Sequence, residues 1–364
     1  MAGLLLLIGK LRVEVLSIPW RVISIVFVLL LALLPIIVQE PYVLRIITFC
    51  AIYAIFAASW DLLSGFTGQL SLGHALFFGL SAYTTALLAI NLHLPVWVTI
   101  PIGTLMAVAG GMIMCLPALR LRGFYLALVT LAFPIILSGI IDAFPDFTGG
   151  DVGLSGLSGL TGSRIGDYYL ILVIMLCSVL IMWKLTDTSS KMVRMGLILR
   201  AIREDEISAR ASGINTTFYK IIAFATSGFF AGIAGGLYAH YLKVVGPSTL
   251  DLMLSFQPVL WTIFGGIGTI YGAVAGTFIV YSVVNVVGLT AIGEKIRFIA
   301  QAVMLALVLL YMPEGLIPWI RDHIEVTCPR CKLVNFTARH HCRACRAVLH
   351  PEKEKKLDTP AIEV

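Results

Sequence analysis

Charge is the property that this sequence has least of. Only 13% of its 364 residues are Asp, Glu, Lys or Arg, whereas 59% are hydrophobic. Soluble domains carry about 25% charged residues. A soluble chain with this balance would have too little polar surface to stay dispersed, whereas in lipid the outside of a protein can be as apolar as its inside. The composition therefore excludes an ordinary soluble domain and predicts a membrane protein.

Further absences narrow the function. The sequence contains no G-x-x-x-x-G-K-[ST] motif, so it has no phosphate-binding loop of its own. Asp61 is the only acid near the interior of an apolar segment. An ion- or proton-coupled secondary transporter would need paired acids there, so this class is disfavoured. The apolar run Leu4–Ile8 is too short for the core of a signal peptide, and we expect the first membrane span to act as an uncleaved anchor.

Apolar segments of about 20 residues, the length that crosses the hydrocarbon core, recur along most of the chain. We predict an all-α, polytopic helix bundle of about ten spans, at 20–38, 43–60, 67–90, 95–117, 123–141, 168–184, 218–240, 252–267, 271–288 and 296–312. The eighth and ninth spans could instead form one broken or re-entrant element, because glycines crowd their junction at 265, 266, 268, 272 and 276.

Basic residues collect in alternate loops of this arrangement. Lys10, Arg12, Arg120 and the segment 185–217 fall on one side, and the loop 142–167, with four Asp and one Arg, falls on the other. Loops rich in Lys and Arg stay in the cytoplasm. The amino terminus, the segment 185–217 and the carboxyl-terminal tail are therefore predicted to be cytoplasmic.

Residues 190–217 form a long, highly charged segment within the membrane part. Leu199, Ile202 and Glu206 are spaced three and four apart, which places them on one face of a helix. Gly213 follows the helical stretch, where glycine ends a helix without strain. The pattern fits either a short surface helix that docks in a soluble partner or a solvated loop between two spans.

Glycines at 149, 150, 153, 156, 159, 162 and 166 enrich the loop on the opposite side. The loop could be flexible, or it could grip a protein that delivers a solute.

Four stretches carry a resemblance to a known family: GFTGQLSLGHALFFGLSAYTTALL (65–88), LRGFYLALVTLAF (121–133), TGGDVGLSGL (148–157) and GLILRAIREDEISARASGINTTFYKIIAFATSGFFAGIAGGLYAH (196–240), the last followed by GGIGTIYGAVAG (265–276). In this order they resemble the LivM-type permease subunit of branched-chain amino acid ABC transporters, and they span most of residues 40–312.

This resemblance implies a multi-pass subunit of a prokaryotic inner (plasma) membrane that is not itself an enzyme. Its partners would be a second, LivH-like permease, two cytoplasmic ATPase subunits that bind ATP, and an extracytoplasmic solute-binding protein. Transport would proceed by alternating access, and related permeases leave urea, short amides or another small solute as alternatives. The resemblance also implies a segment that couples this subunit to the ATPase subunits. Its residues would be Arg200, Arg203, Glu204, Asp205, Glu206, Arg210 and Gly213.

A solute path needs polar groups that face the interior of the bundle. The candidates are Gln69, Ser71, His74, Gln257 and Asn285. Each of them could equally form a hydrogen bond between helices.

The tail reads CPRCKLVNFTARHHCRAC at 328–345, two C-x2-C pairs separated by ten residues. Cys328, Cys331, Cys342 and Cys345 suit one tetrahedral, structural Zn²⁺ in a zinc ribbon or knuckle. Two disulfides are the alternative and would require an oxidising compartment. We predict a membrane domain at 1–315, a zinc-ribbon-like module at 316–350 and a disordered tail at 351–364. Basic residues around the cysteines could contact membrane lipid or a partner, whereas nucleic acid is not expected.

Overall fold

The computed structural model describes residues 19–38, 40–121, 123–187, 195–287, 293–331, 334–337, 340–342 and 345–349. The predicted disordered tail, the run Leu4–Ile8 and the basic residues Lys10 and Arg12 lie outside the described residues. The chain divides into two compact units, residues 40–316 and a second unit that combines residues up to 39 with those from 317 onward.

The described chain is mostly helical. In chain order its helices are α1 Pro19–Ile37, α2 Pro41–Trp60, α3 Ala75–Asn91, α4 Val96–Ala118, α5 Phe124–Ala143, α6 Pro145–Thr148, α7 Arg164–Thr186, α8 Met195–Glu204, α9 Glu206–Ala211, α10 Thr216–Leu242, α11 Leu252–Gly265, α12 Ile270–Val287, α13 Gly293–Tyr311 and α14 Leu316–Ile324. Two small antiparallel sheets pair β1 Leu154–Ser155 with β2 Val244–Val245, and β3 Glu325–Thr327 with β4 Val334–Phe336.

Within the described residues, six stretches are long and apolar enough to cross a membrane: Pro41–Gly65, Val96–Pro117, Phe124–Ala143, Arg164–Thr186, Thr216–Leu242 and Ile299–Ile324. The pair α11 and α12 adds a seventh if it counts as one span. Two apolar stretches are shorter, at 17 residues or fewer: Ile23–Ile37, which is part of α1, and Ala75–Asn91, which is α3. A multi-pass helical protein is thus confirmed, whereas the count of about ten spans is not.

The predicted span 67–90 is interrupted at its start. Helix α2 continues into a π-helical turn at Asp61–Gly65, and α3 begins only at Ala75. The segment 68–74 between them is not helical but is largely buried. Its backbone finds partners elsewhere, since Trp60 Nε1 donates to the Ser71 carbonyl at 2.7 Å and Ser71 N donates to the Ser64 hydroxyl at 3.2 Å. Buried irregular backbone is stable only when its polar groups are bonded in this way.

Helices α11 and α12 meet at a bend of 108°, which fits the alternative of a broken or re-entrant element. Glycines permit the close approach of the two helices at this bend. A Cβ on Gly276 would lie 2.9 Å from the Gly265 nitrogen and would overlap the Trp261 carbonyl. The glycines at this junction are therefore required by packing.

Helix α10 packs closely against α3 and α4. A Cβ on Gly232 would lie 3.0 Å from Thr104 Cα, and one on Gly235 would overlap the Phe78 backbone. Small residues bring membrane helices into backbone contact in this manner. The three helices therefore form one tightly packed slab.

The glycine-rich loop is folded rather than free. Strand β1 pairs with β2, which follows α10. His240 on α10 hydrogen-bonds the Ser158 carbonyl through Nδ1 and the Thr99 hydroxyl through Nε2, both at 2.8 Å. The loop is therefore fastened to α10 and to the strand that follows it, and His240 in turn bonds α4 through Thr99, an arrangement that favours the alternative of a binding surface.

The second unit contains α1, most of α14 and the β3–β4 hairpin. Glu325 pairs with Phe336 and Thr327 with Val334 in the hairpin register. A further bridge joins His341 to Val348. This hairpin and the bridge hold the two C-x2-C turns.

Candidate coupling segment, solute path and metal centre

The charged segment forms two short helices, α8 and α9, with a buried face. Leu199 is fully buried and Ile202 nearly so, whereas Arg200, Arg203, Glu204 and Arg210 are exposed. Asp205 separates the helices and caps α9, since its carboxylate accepts hydrogen bonds from the Ile207 and Ser208 nitrogens at 2.8 and 3.2 Å. The described residues 195–211 are thus helical with an exposed charged face, but the single helix expected from the sequence is wrong in one respect: the break at Asp205 puts Glu206 on a different helix from Leu199 and Ile202.

Glu206 ties α9 to the start of α10. Its Oε1 lies 2.9 Å from Lys220 Nζ and 3.0 Å from Arg210 Nη2. Gly213 has a φ of 84°, in the left-handed region where glycine ends a helix, as the sequence predicts. Asn215 then caps α10 by accepting from the Phe218 nitrogen at 3.1 Å.

Arg203 reaches a buried junction that sequence reasoning missed. Its guanidinium donates a hydrogen bond to the Gly65 carbonyl at the end of the π-helical turn. Asp61 Oδ1 accepts a hydrogen bond of 2.7 Å from the nitrogen of Gly268, in the bend between α11 and α12. We call these four residues, Asp61, Gly65, Arg203 and Gly268, the coupling junction. Arg200 lies next to it, with its guanidinium carbon 5.3 Å from the centre of the Phe66 ring.

Three of the five predicted path residues lie together in the irregular segment 68–74. Gln69, Ser71 and His74 are at most 5% exposed. Among the described residues, both amide atoms of Gln69, the Ser71 hydroxyl and His74 Nδ1 are buried without a hydrogen-bond partner. His74 Nε2 shares a hydrogen bond of 2.8 Å with the Ser59 hydroxyl. The segment thus presents several buried polar atoms with spare bonding capacity.

The other two path candidates lie elsewhere. The Asn285 amide donates to the Tyr281 carbonyl of its own helix at 2.7 Å, and Tyr42, at the start of α2, donates to the Asn285 carbonyl at 3.4 Å. Asn285 is therefore near the opposite end of α2 from segment 68–74. Gln257 is half-buried on α11, two residues from Ser255, whose hydroxyl accepts from the Ala75 nitrogen at 3.2 Å.

A cavity of about 330 Å³ opens beside the C-terminal end of α10. Its walls are mainly apolar, with one carboxylate, and include Asp151, Val152, Tyr238, Leu242, Val244 and Pro247. Sequence reasoning gave no signal for it, because the loop and the helix meet only in the fold.

The four tail cysteines form one cluster. Their Sγ atoms all lie within 4.8 Å of one another. The Sγ atoms of Cys328 and Cys345 are 3.5 Å apart, as are those of Cys331 and Cys342, and none of these four described residues forms a disulfide. Four thiolates about 2.3 Å from a tetrahedral Zn²⁺ would be spaced similarly, so the donor set fits the metal.

Two further groups near the four sulfurs favour the binding of a cation by this cluster. The Asn335 side chain is buried and donates to Cys342 Sγ at 3.5 Å. The backbone N–H of Cys331 lowers the pKa of the Cys328 thiol, and burial opposes this effect. Hydrogen bonds to the sulfurs favour the thiolate form that binds metals.

The structure contains apolar helices, a bent helix pair, and charged surface helices that contact the bend of this pair. Together these features define a multi-pass membrane protein of the transporter class. Residues 42–312 match the family described as branched-chain amino acid transport system, permease component. The chain belongs to this family.

Two relatives extend the match over most of the chain. The LivM high-affinity branched-chain amino acid transport system permease protein of Salmonella typhimurium is 30% identical over 336 residues, covering 83% of this chain and 77% of the relative. LivM of Escherichia coli strain K12 is 30% identical over 343 residues, covering 85% and 77%. LivH of the same strain is 30% identical over 124 residues, covering 34% and 40%. Each of these relatives is a permease protein of a branched-chain amino acid transport system.

Proposed function

We propose that this chain is the membrane-spanning permease subunit of an ATP-driven importer for branched-chain amino acids. The observation that carries the proposal is the α8–α9 pair, whose charged residues are exposed and whose Arg203 side chain bonds Gly65 and lies against Gly268 in the bend of α11–α12. A subunit without a nucleotide-binding loop needs such a surface to receive work from a separate ATPase.

The partners follow from this role. A second permease of the LivH kind would complete the membrane pair, two cytoplasmic ATPase subunits would bind ATP, and an extracytoplasmic protein would deliver the solute. Similarity to both LivM and LivH supports a pair built from related subunits. The fastened glycine-rich loop offers a firm surface to the delivery protein.

We place the chain in the inner membrane with about ten crossings. Ten crossings result if α1, α3 and both helices of the bent pair each cross in addition to the six long stretches. The amino terminus, the α8–α9 pair and the tail then lie in the cytoplasm, as the positive-inside rule requires. The membrane domain covers residues 1–315 and the ribbon-like module residues 316–350.

Alternating access requires the α8–α9 pair to move with the ATPases. Arg200, Arg203 and Glu204 of α8 and Asp205, Glu206, Arg210 and Gly213 in and around α9 would dock on the ATPase or brace the docking surface. Exposed Leu197 and Ile207 lie among these charges and suit an apolar groove in the partner. Displacement of the pair would change which face of the bundle is open.

The solute path would pass the irregular segment 68–74. Gln69, Ser71 and His74 offer hydrogen-bond donors and acceptors, and the half-helix α3 begins there. Interrupted helices with free polar groups hold solutes in other transporters. Gln257, Asn285 and the cavity at the end of α10 would line other levels of the path.

The tail would hold one structural Zn²⁺ through Cys328, Cys331, Cys342 and Cys345. Bound zinc links the two turns and stabilises a module too small to have a core of its own. Four thiolates leave no open coordination position, so we assign no catalysis to this site. The cytoplasm, where we place the tail, keeps thiols reduced and available to a metal.

Uptake by the complete transporter in proteoliposomes tests the function. With ATP available to the ATPase subunits, radiolabelled leucine, isoleucine and valine should accumulate, and urea should not compete. A non-hydrolysable ATP analogue serves as the control. Accumulation driven by a proton gradient alone would identify a secondary transporter, and competition by urea or short amides would change the solute.

A further inference from the structure

We propose that Asp61 and Arg203 form a two-position latch that transmits the movement of α8 to the bent helix pair α11–α12. The proposal rests on the proposed function and names the residues through which the coupling segment acts on the bundle. It concerns Asp61, which the sequence does not mark as functional.

The coupling junction joins three elements that are far apart in the chain. Gly65 ends the π-helical turn after α2, Arg203 lies on α8, and Gly268 lies in the bend. A Cβ on Gly65 would lie 2.9 Å from the Gly268 nitrogen, and one on Gly268 would lie 3.0 Å from Arg203 Nη1. Because no side chain fits between these backbones, a shift of Arg203 acts directly on both of them.

Asp61 is buried and has no direct ion pair in the present arrangement. Its Oδ1 accepts from Gly268, the carboxylate also interacts with the Thr269 backbone N–H, and its Oδ2 has no hydrogen bond of ordinary geometry among the described residues. A buried carboxylate is costly unless a counter-charge lies near, and here Arg203 and Arg200 act on it without touching it. The nearby Arg203 guanidinium has five N–H donors and directs Nη1 at the neutral Gly65 carbonyl. The acid and the base are therefore neighbours that lack a direct ion pair.

A short movement of Arg203 would change its acceptor. In the first position, seen here, Arg203 bonds Gly65 and Asp61 bonds Gly268. In the second position Arg203 bonds Asp61, and the charge-assisted bond is stronger than the one to a carbonyl. The carboxylate then holds Gly268 less tightly, which frees the bend to move. ATP-driven displacement of α8 would select between the two positions.

Substitutions that keep the shape test the latch in the complete transporter. Asp61→Asn keeps an oxygen for Gly268 and removes the charge, and Arg203→Met removes the donors from an exposed position. Each should lower uptake at least tenfold, measured per complex that carries its full set of ATPase subunits, and raise the ATP consumed per solute. Combining the two should cost no more than twofold beyond either alone, and Arg203→Lys should recover part of the uptake. Lys184→Met, at an exposed site on α7, is the matched control.

Hydrogen exchange at residues 266–269 tests the latch without any solute. In the wild-type complex, a non-hydrolysable ATP analogue should change exchange in this peptide, and Asp61→Asn or Arg203→Met should abolish the change. The latch is wrong if either variant transports and exchanges like the wild type, or if the two uptake losses multiply, which would indicate independent structural roles. If the wild type accumulates no branched-chain amino acid, the proposed function fails, and the exchange result still decides the latch. Should Asp61→Asn not fold, Arg203→Met and Arg203→Lys give the answer.

Discussion

Glu206 forms one ion pair with the buried Lys220 and a second with the exposed Arg210. Because these environments differ, removing Glu206, Lys220 or Arg210 should lower the local stability by different amounts. Lys220 is only 6% exposed in its side chain and Glu206 16%, whereas Arg210 is 61% exposed. Removing one member of a buried pair costs roughly 3–5 kcal/mol, because the remaining charge stays buried. An exposed pair contributes about 0–1 kcal/mol.

Glu206→Gln should therefore be the severe change. It leaves the Lys220 ammonium buried without a counter-charge, for which we expect the lower end of that range, about 3 kcal/mol, because the glutamine oxygen can still accept a hydrogen bond. Lys220→Met leaves Glu206 paired with Arg210 and should cost about 1 kcal/mol. Arg210→Met, the exposed control, should cost no more than this.

Amide hydrogen exchange across α9 and the first turn of α10 measures these costs locally. Since about 1.4 kcal/mol corresponds to tenfold, Glu206→Gln should speed exchange roughly 100-fold and Lys220→Met roughly fivefold. Equal acceleration by the two variants, or a larger effect of Lys220→Met, would refute the reasoning that the buried lysine depends on Glu206.

Three further outcomes are expected. Purified protein should contain about one zinc per chain by mass spectrometry, and Cys328→Ser with Cys331→Ser should remove it; unchanged metal content would exclude the site. Asn335→Leu, which removes a donor to a ligand sulfur, should weaken zinc affinity about 10–100-fold in a chelator competition, and unaltered affinity would assign Asn335 to packing alone. Gly276→Val should lower stability by about 1–3 kcal/mol in thermal unfolding, because its side chain meets backbone, whereas Gly139→Val, with open space around its Cβ, should not; equal effects would contradict the packing argument.

The tail was predictable because its signal is local. Each C-x2-C turn brings two sulfurs together regardless of the rest of the fold, so spacing alone indicated the cluster that the structure shows. The helical character of this segment was predictable for the same reason, since Leu199, Ile202 and Gly213 follow helix periodicity and termination, whereas the break at Asp205 was missed.

The interruption before α3 was not predictable from hydropathy. Segment 68–74 lies within a largely apolar stretch, and its backbone is stabilised by groups outside it, such as the Thr130 hydroxyl, which accepts from the Leu72 nitrogen at 3.1 Å. A window of composition contains no information about such partners. The count of about ten spans is not confirmed for a related reason, because short and bent helices do not reach the length expected of a crossing.

The coupling junction depends on a contact between residues 207 positions apart. Its only sequence signal was the cluster of glycines around Gly268, which indicated close approach but not to what. The polar path candidates could not be placed for a similar reason. A polar residue in an apolar segment predicts that its side chain faces the interior of the bundle, but it does not indicate how deep in the bundle the residue lies. Asn285 and His74 consequently occupy different ends of the bundle.

Helix α10 has 27 residues and is therefore about 40 Å long. One end is capped beside the α8–α9 pair, and the other leads into the strand that holds the glycine-rich loop. Because the middle of α10 packs closely against α3 and α4, a tilt of α10 would move all three helices together as one rigid body. Movement at the α8–α9 end would therefore be matched by movement at the end that holds the glycine-rich loop.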